Sequence, residues 1–221
     1  MVMDGPFYRV VTGQSFSSRA IAPIAFLDRD GVINRGRASY VNHPDEVVLL
    51  DGVGEAIGAL KRHGFLVCVV TNQSPMSRGL WDEDQLVRIH RRLQSLLHEQ
   101  DAQADIDAFI TCPHRFEDGC GCRKPSPSML NLGHWLLRAD DVSTEIDVLK
   151  NAGPMNHQVD WWGTKPHPPH RHDVMVGDRQ TDVAAGWAYG ARVFRVNAQL
   201  GLAEIVKRIL DTEDSGDSFQ P

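Results

Sequence analysis

The chain has 221 residues, 42% hydrophobic and 24% charged, the proportions of an ordinary folded domain, and is long enough for one substantial core with a small accessory element. A net charge of −6 leaves no basic footprint for nucleic acid or an anionic membrane, and no apolar run approaches the ~20 residues of a spanning helix. Met1 to Arg19 lacks a secretory-type apolar core, so a cytoplasmic location is expected, and three of four cysteines crowd beside a histidine between Cys112 and Cys122, which points to metal rather than disulfides.

Residues 1–19 show no periodicity and read as a flexible lead into one domain over 20–210. The apolar run Ile21 to Leu27 predicts a buried strand that delivers Asp28 and Asp30 at its carboxyl end, where Gly31 permits a sharp turn. A polar loop from Asn34 to Pro44 follows, its Tyr40-Val41 pair placed to anchor over a crevice. Val53, Ala56, Ile57 and Leu60 recur at helical spacing with Gly64 as the stop. Phe65 to Val70 is a second strand, ending in Thr71-Asn72-Gln73-Ser74, which completes a βαβ unit. Asp82 caps a helix running to Gln100, with Leu86, Ile89, Leu93, Leu96 and Leu97 as its apolar stripe.

Ile106 to Thr111 is a third strand leading into the cysteine loop and Arg123-Lys124-Pro125, and Ser126-Pro127 starts a helix to about Arg138. The Pro- and Trp-rich stretch 139–172 has no sustained period and reads as an irregular inserted loop, its histidines His157, His167, His170 and His172 incidental. Asp173 to Val176 is a fourth strand ending in Gly177-Asp178-Arg179, Arg192 to Val196 a fifth, and Leu200 to Leu210 the last helix. The acidic residues 211–221 read as a flexible tail. The expected fold is α/β, a Rossmann-like parallel sheet sandwiched by helices.

The strand ends gather Asp28, Asp30, Thr71, Asn72, Lys124 and Asp178, an inventory for phosphoryl transfer. A carboxylate such as Asp28 can attack phosphorus and carry the group covalently. Mg²⁺ held by Asp28, Asp178 and the backbone carbonyl of Asp30 would remove the charge repulsion. Lys124 and the Thr71 hydroxyl would hold the phosphoryl oxygens, and Asp30 would serve as general acid and then base.

Phe26-Leu27-Asp28-Arg29-Asp30-Gly31-Val32-Ile33-Asn34, Val70-Thr71-Asn72-Gln73-Ser74, Cys122-Arg123-Lys124-Pro125 and Val176-Gly177-Asp178 together resemble the haloacid dehalogenase superfamily of phosphatases, over about residues 22–196 outside the insertion. Within it the chain is similar to the branch holding heptose bisphosphate phosphatases and histidinol-phosphate phosphatases. The resemblance implies a fold with a minimal cap, an aspartyl-phosphate intermediate and Mg²⁺ dependence. It places Arg123 at the substrate, with Asn72, Gln73, Ser74, Arg78 and Arg179 in the substrate-binding loops. Ser77-Arg78-Gly79 and Tyr40-Val41 are similar to the heptose branch, whereas the short cysteine loop looks more like the histidinol-phosphate branch. Pro75-Met76, Arg179 and the insertion depart from the heptose pattern.

Cys112, His114, Cys120 and Cys122 form a Cys₃His set with close pairs at each end, enough for a closed, structural zinc site. The expected function is a Mg²⁺-dependent phosphomonoesterase acting on a small phosphorylated metabolite, a heptose bisphosphate first and histidinol phosphate as the alternative. A catalytically idle phospho-ligand-binding module is the distant one. A monomer is the expected state.

Overall fold

In chain order the elements are β1 (Phe7–Val10), α1 (Phe16–Arg19), β2 (Ile24–Leu27), α2 (Val53–Arg62), β3 (Leu66–Asn72), α3 (Glu83–Gln100), β4 (Ala108–Cys112), α4 (Ser128–Arg138), β5 (Lys150–Asn151), β6 (Val174–Gly177), α5 (Gln180–Tyr189), β7 (Arg192–Arg195) and α6 (Val206–Leu210). This computed structural model describes residues 4–12, 16–139 and 149–220.

One seven-stranded sheet runs in the order β5-β1-β4-β3-β2-β6-β7. The stretch from β4 to β7 is parallel throughout, while β1 is antiparallel to β4 and β5 to β1. β2 is central, and alternation along it divides the core. Ala25 and Leu27 join the cluster that α2 and α3 cover with Val53, Ile57, Leu60, Ile89 and Leu93. Ile24 and Phe26 face the opposite cluster, which α4 and α5 cover with Met129, Leu130, Leu137, Val183 and Ala185. A strand buried on both faces has no polar positions to alternate, so it reads as a continuous apolar run. The sheet order turns back at β2 and β6, and ligands bind outside the carboxyl ends of strands at such a switch point.

Several expectations need correction. The lead over 1–19 contains β1, whose register pairs Phe7 with Thr111 and Val10 with Ala108. Four residues interrupted by Tyr8 and Arg9 are too short to show a period, and the ladder to β4 supplies what local sequence does not. The expected flexible tail, over its described residues 211–220, is docked: the Asp217 amide donates to Val193 O at 2.7 Å, and Asp217 accepts from the Arg195 amide at 2.8 Å. Phe219 packs edge-on to Trp161, which itself stacks on Trp187. The strand that delivers Asp28, β2, starts at Ile24, with Ile21 exposed, and the last helix is broken at Ile205 into a 3-10 turn and α6. In α4 Pro127 is the cap, with the Ser128 amide donating to Ser126 Oγ at 3.3 Å.

Residues 140–148 of the predicted insertion lie outside the described residues. Over 149–172 β5 is the only strand or helix. There the Ala152 amide donates to Pro6 O at 2.9 Å, so the segment packs on the N-terminal strand. Among the described residues no helix is long and apolar enough to cross a membrane.

Candidate active site

β2 delivers Asp28 beside β6, its amide donating to Val176 O at 2.9 Å. Lys124 Nζ lies between two carboxylates, 2.8 Å from Asp28 Oδ1 and 2.7 Å from Asp182 Oδ1, and donates a third bond to Val70 O at 2.7 Å. Two glycines make the approach possible. A Cβ on Gly177 would stand 2.0 Å from the Asp182 Cβ, and one on Gly31, at φ +87°, would stand 2.8 Å from Asp178 Cγ. Asp182 occupies the first turn of α5, where its second oxygen accepts from the Arg179 amide at 3.0 Å.

The electrostatics are those of too many carboxylates for one lysine. Burial pushes Asp28 up to about 6 against the pull of Lys124, with Asp182 and Asp30 adding repulsion. Burial works against the Lys124 charge, but Asp182 and Asp28 outweigh it and hold the ammonium above its usual range. Asp178 is raised by burial and by Asp28. Oxygens of Asp28, Asp178 and Asp182 lie within 4.8 Å of one another, and Asp178 Oδ1 is buried without a hydrogen-bond partner. That orphaned acceptor and surplus negative charge are the donor set a hard, oxygen-preferring divalent cation takes.

Asp30 sits apart from this trio. It accepts from Arg29 Nη2 at 2.9 Å, Asn34 Nδ2 at 2.8 Å and Gln73 Nε2 at 2.7 Å. Burial alone would raise its carboxyl, but the Arg29 guanidinium and these bonds outweigh burial and keep it below the usual carboxylate range. Gln73 also donates to Thr71 Oγ1 at 2.9 Å, which ties Thr71 to the same network.

The cysteine loop closes on itself beside the crevice. Cys122 Sγ lies 3.3 Å from both Cys112 Sγ and His114 Nδ1, and the Cys112–Cys120, Cys120–Cys122 and Cys112–His114 separations are each 3.6 Å. A zinc tetrahedron with ~2.3 Å Zn–S bonds has edges of about 3.8 Å, so the four atoms already stand near the required spacing. Arg123, next to Cys122, donates from Nη1 to His114 O at 2.8 Å, and the loop therefore fixes where Arg123 and Lys124 start.

With this geometry established, a HAD-hydrolase-like family model matches residues 121–204. A D-glycero-beta-D-manno-heptose-1,7-bisphosphate 7-phosphatase from Haemophilus influenzae is 39% identical over 174 residues, 76% of this chain and 76% of that protein. The chain belongs to the HAD-like hydrolase family. A similarly named protein from Pseudomonas aeruginosa is 42% identical over 107 residues, but the alignment spans 59% of its length, and 58% for the relative from Bordetella bronchiseptica. The crystal structure of the D,D-heptose 1,7-bisphosphate phosphatase from B. bronchiseptica, complexed with magnesium and phosphate, superposes with a TM-score of 0.60 at 30% identity, covering 84% of this chain and 85% of that one. A HAD-like phosphatase from Mesorhizobium loti shares the fold with a TM-score of 0.68 at 24% identity, over 100% of this chain and 99% of that one.

Within this HAD-like site, Asn72, Ser74, Arg123 and Arg179 line the crevice with Asp28, Asp30, Thr71, Lys124 and Asp178. Gln73 and Arg78 are not on its wall. Gln73 is 1% exposed and turned to Asp30, and Asn72 clamps the Lys124 backbone, accepting from its amide at 3.1 Å and donating to its carbonyl at 3.2 Å. The carboxylate trio adds Asp182 to Asp28 and Asp178, while the side chain of Asp30, expected to offer its backbone carbonyl to the metal, is engaged by Arg29, Asn34 and Gln73. The signal for Asp182 was present: a carboxylate four residues after Asp178, in the first turn of a helix whose next residues, Val183, Ala184, Ala185 and Gly186, are small and apolar.

Proposed function

We propose that this chain is a Mg²⁺-dependent phosphatase that removes the 7-phosphate of a D-glycero-D-manno-heptose 1,7-bisphosphate, the β anomer first. The observation that carries the chemistry is the buried Lys124 ammonium held between Asp28 and Asp182, with the unpartnered Asp178 oxygen alongside. The names of the relatives support the substrate.

Asp28 and Asp178, with Asp182 behind them, are the residues that would hold magnesium, which when bound offsets the repulsion between carboxylates and phosphate. Lys124 fixes one Asp28 oxygen and leaves the other to attack phosphorus, forming an aspartyl phosphate. Lys124 and Thr71 then face the phosphoryl oxygens as charge redistributes. Asp30, held ionised before substrate arrives, takes a proton from solvent water as the phosphate dianion approaches, because that charge opposes its own. It gives the proton to the leaving alkoxide and afterwards draws one from the water that hydrolyses the intermediate. The cysteine set holds zinc as a structural element. With this substrate, the proposed enzyme is a cytoplasmic monomer without a nucleic-acid partner.

The test is phosphate release with Mg²⁺ from a panel of both heptose 1,7-bisphosphate anomers, histidinol phosphate and common hexose phosphates. A strong preference for one heptose anomer is expected, with turnover lost in Asp28→Asn. Equal, feeble activity on every compound overturns the heptose reading, and full turnover by Asp28→Asn overturns the covalent route.

A further inference from the structure

Residues 34–44 form a strap along one wall of the crevice, and its backbone is held by more contacts than its length requires. Tyr40 is the only non-glycine among the described residues with positive φ, at 66°, a conformation that L side chains avoid unless the surroundings impose it. Its hydroxyl meets Ser74 Oγ at 3.1 Å across the crevice. Asn42 is gripped by Trp81 Nε1 at 2.9 Å and by Gln85 Nε2 at 2.7 Å. Its own amide donates to Glu46 Oε2 at 2.8 Å, which locks the Glu46 carboxylate in place.

Arg37 is the cation this strap presents to the crevice. Its Nη2 stands 3.6 Å from Glu46 Oε1, beyond a hydrogen bond, and its side chain is 45% exposed. The other crevice cations stand with the catalytic carboxylates or the cysteine loop: Lys124 lies between Asp28 and Asp182, Arg179 follows Asp178 directly in the chain, and Arg123 donates from Nη1 to His114 O. Arg37 is therefore parked against one carboxylate while its planar fork, suited to bidentate contact with phosphate, stays unused.

We propose that Arg37 binds the second phosphate group of a sugar bisphosphate, leaving Glu46 for that anion when the first phosphate lies against Asp28. The inference rests on the bisphosphate reading above and assigns the strap as the element that selects bisphosphates over monophosphates. Glu46 keeps the guanidinium near its working position, and the Tyr40–Ser74 contact keeps the strap over the crevice.

The experiment measures kcat and KM for heptose 1,7-bisphosphate and heptose 7-phosphate with the wild-type chain, Arg37→Ala and Arg37→Lys. For Arg37→Ala the bisphosphate kcat/KM is expected to fall about 10- to 100-fold, chiefly through KM, and the preference over the monophosphate to collapse. Arg37→Lys should recover part of the loss, which a misfolded strap would not allow. A wild type that prefers the bisphosphate and an Arg37→Ala variant that keeps the preference overturn the role of Arg37 alone. A wild type indifferent to the second phosphate overturns the substrate reading and this inference with it.

Discussion

Asp182 is 1% exposed and shares the Lys124 ammonium with Asp28, so its loss leaves that buried cation one carboxylate partner. Asp182→Ala is expected to cost about 1–3 kcal/mol in urea unfolding, the usual loss for a buried hydrogen bond to a charged group. Asp182→Asn should cost less, since it keeps a hydrogen bond to Lys124, yet still lower kcat. An Ala variant as stable as the wild type would show that Asp28 alone satisfies Lys124. His90 makes a pH prediction. It is fully buried against Phe109, and burial, with Arg29 and Arg9 adding repulsion, holds its imidazole well below the usual histidine range. A depressed histidine binds its proton more readily unfolded than folded, so stability falls as pH drops below about 6.5. His90→Phe, which can keep the stack on Phe109, should flatten that acid limb in denaturant titrations between pH 6.5 and 5. An unchanged slope would assign the limb to other groups. At this scale Asp28 was legible because it follows an apolar run, and Lys124 because it sits in the Cys122-Arg123-Lys124-Pro125 motif. Asp182 was legible as a first-turn carboxylate beside Asp178 but not as the partner of Lys124, which lies in another segment that only folding brings to it.

Among the elements, the sheet centre was legible and its edges were not. β2, β3 and β6 are continuous apolar runs that need no partner to interpret. β1 and the docked tail take their structure from neighbours. Arg192 shows how: its Nη1 donates to Asp211 O at 2.9 Å and Asp214 O at 2.8 Å, and its Nη2 to Ile209 O at 2.8 Å, so one buried guanidinium turns the chain back along β7. The exposed Arg208 pairs with Asp214 and Asp217 add little beside this. Deleting residues 212–221 is expected to lower stability by about 2–4 kcal/mol, from the lost bonds to Arg192 and Val193. It should also uncover the β7 edge, which invites pairing between copies. Thermal denaturation and size-exclusion chromatography at two concentrations check both effects. A truncated chain with unchanged melting would mean that the tail contacts contribute nothing in solution.

Across the whole molecule the two candidate metal sites meet at one loop. Cys112 ends β4 and Cys122 precedes Arg123 and Lys124, so a metal on the Cys₃His set would cross-link the carboxyl end of β4 to the segment carrying the buried lysine. The inserted segment leans on the same loop, since a Cβ on Gly121 would stand 1.5 Å from Met155 O. Packing this close fails if the loop relaxes, and Lys124 would then lose its place between Asp28 and Asp182. The purified chain is expected to carry about one zinc per molecule, as a closed tetrahedral set holds. Cys122→Ser, or stripping with a strong chelator, should lower the melting temperature and reduce turnover at least ~10-fold, because metal binding at such a site is part of the folding free energy. Adding Mg²⁺ should not restore activity to the stripped chain, whereas Zn²⁺ followed by Mg²⁺ should. Asp178→Asn should behave in the opposite way, keeping its zinc and its melting temperature while losing the response to Mg²⁺. Recovery of the stripped chain by Mg²⁺ alone would detach the cysteine loop from catalysis and leave Lys124 held by its two carboxylates without help from the loop.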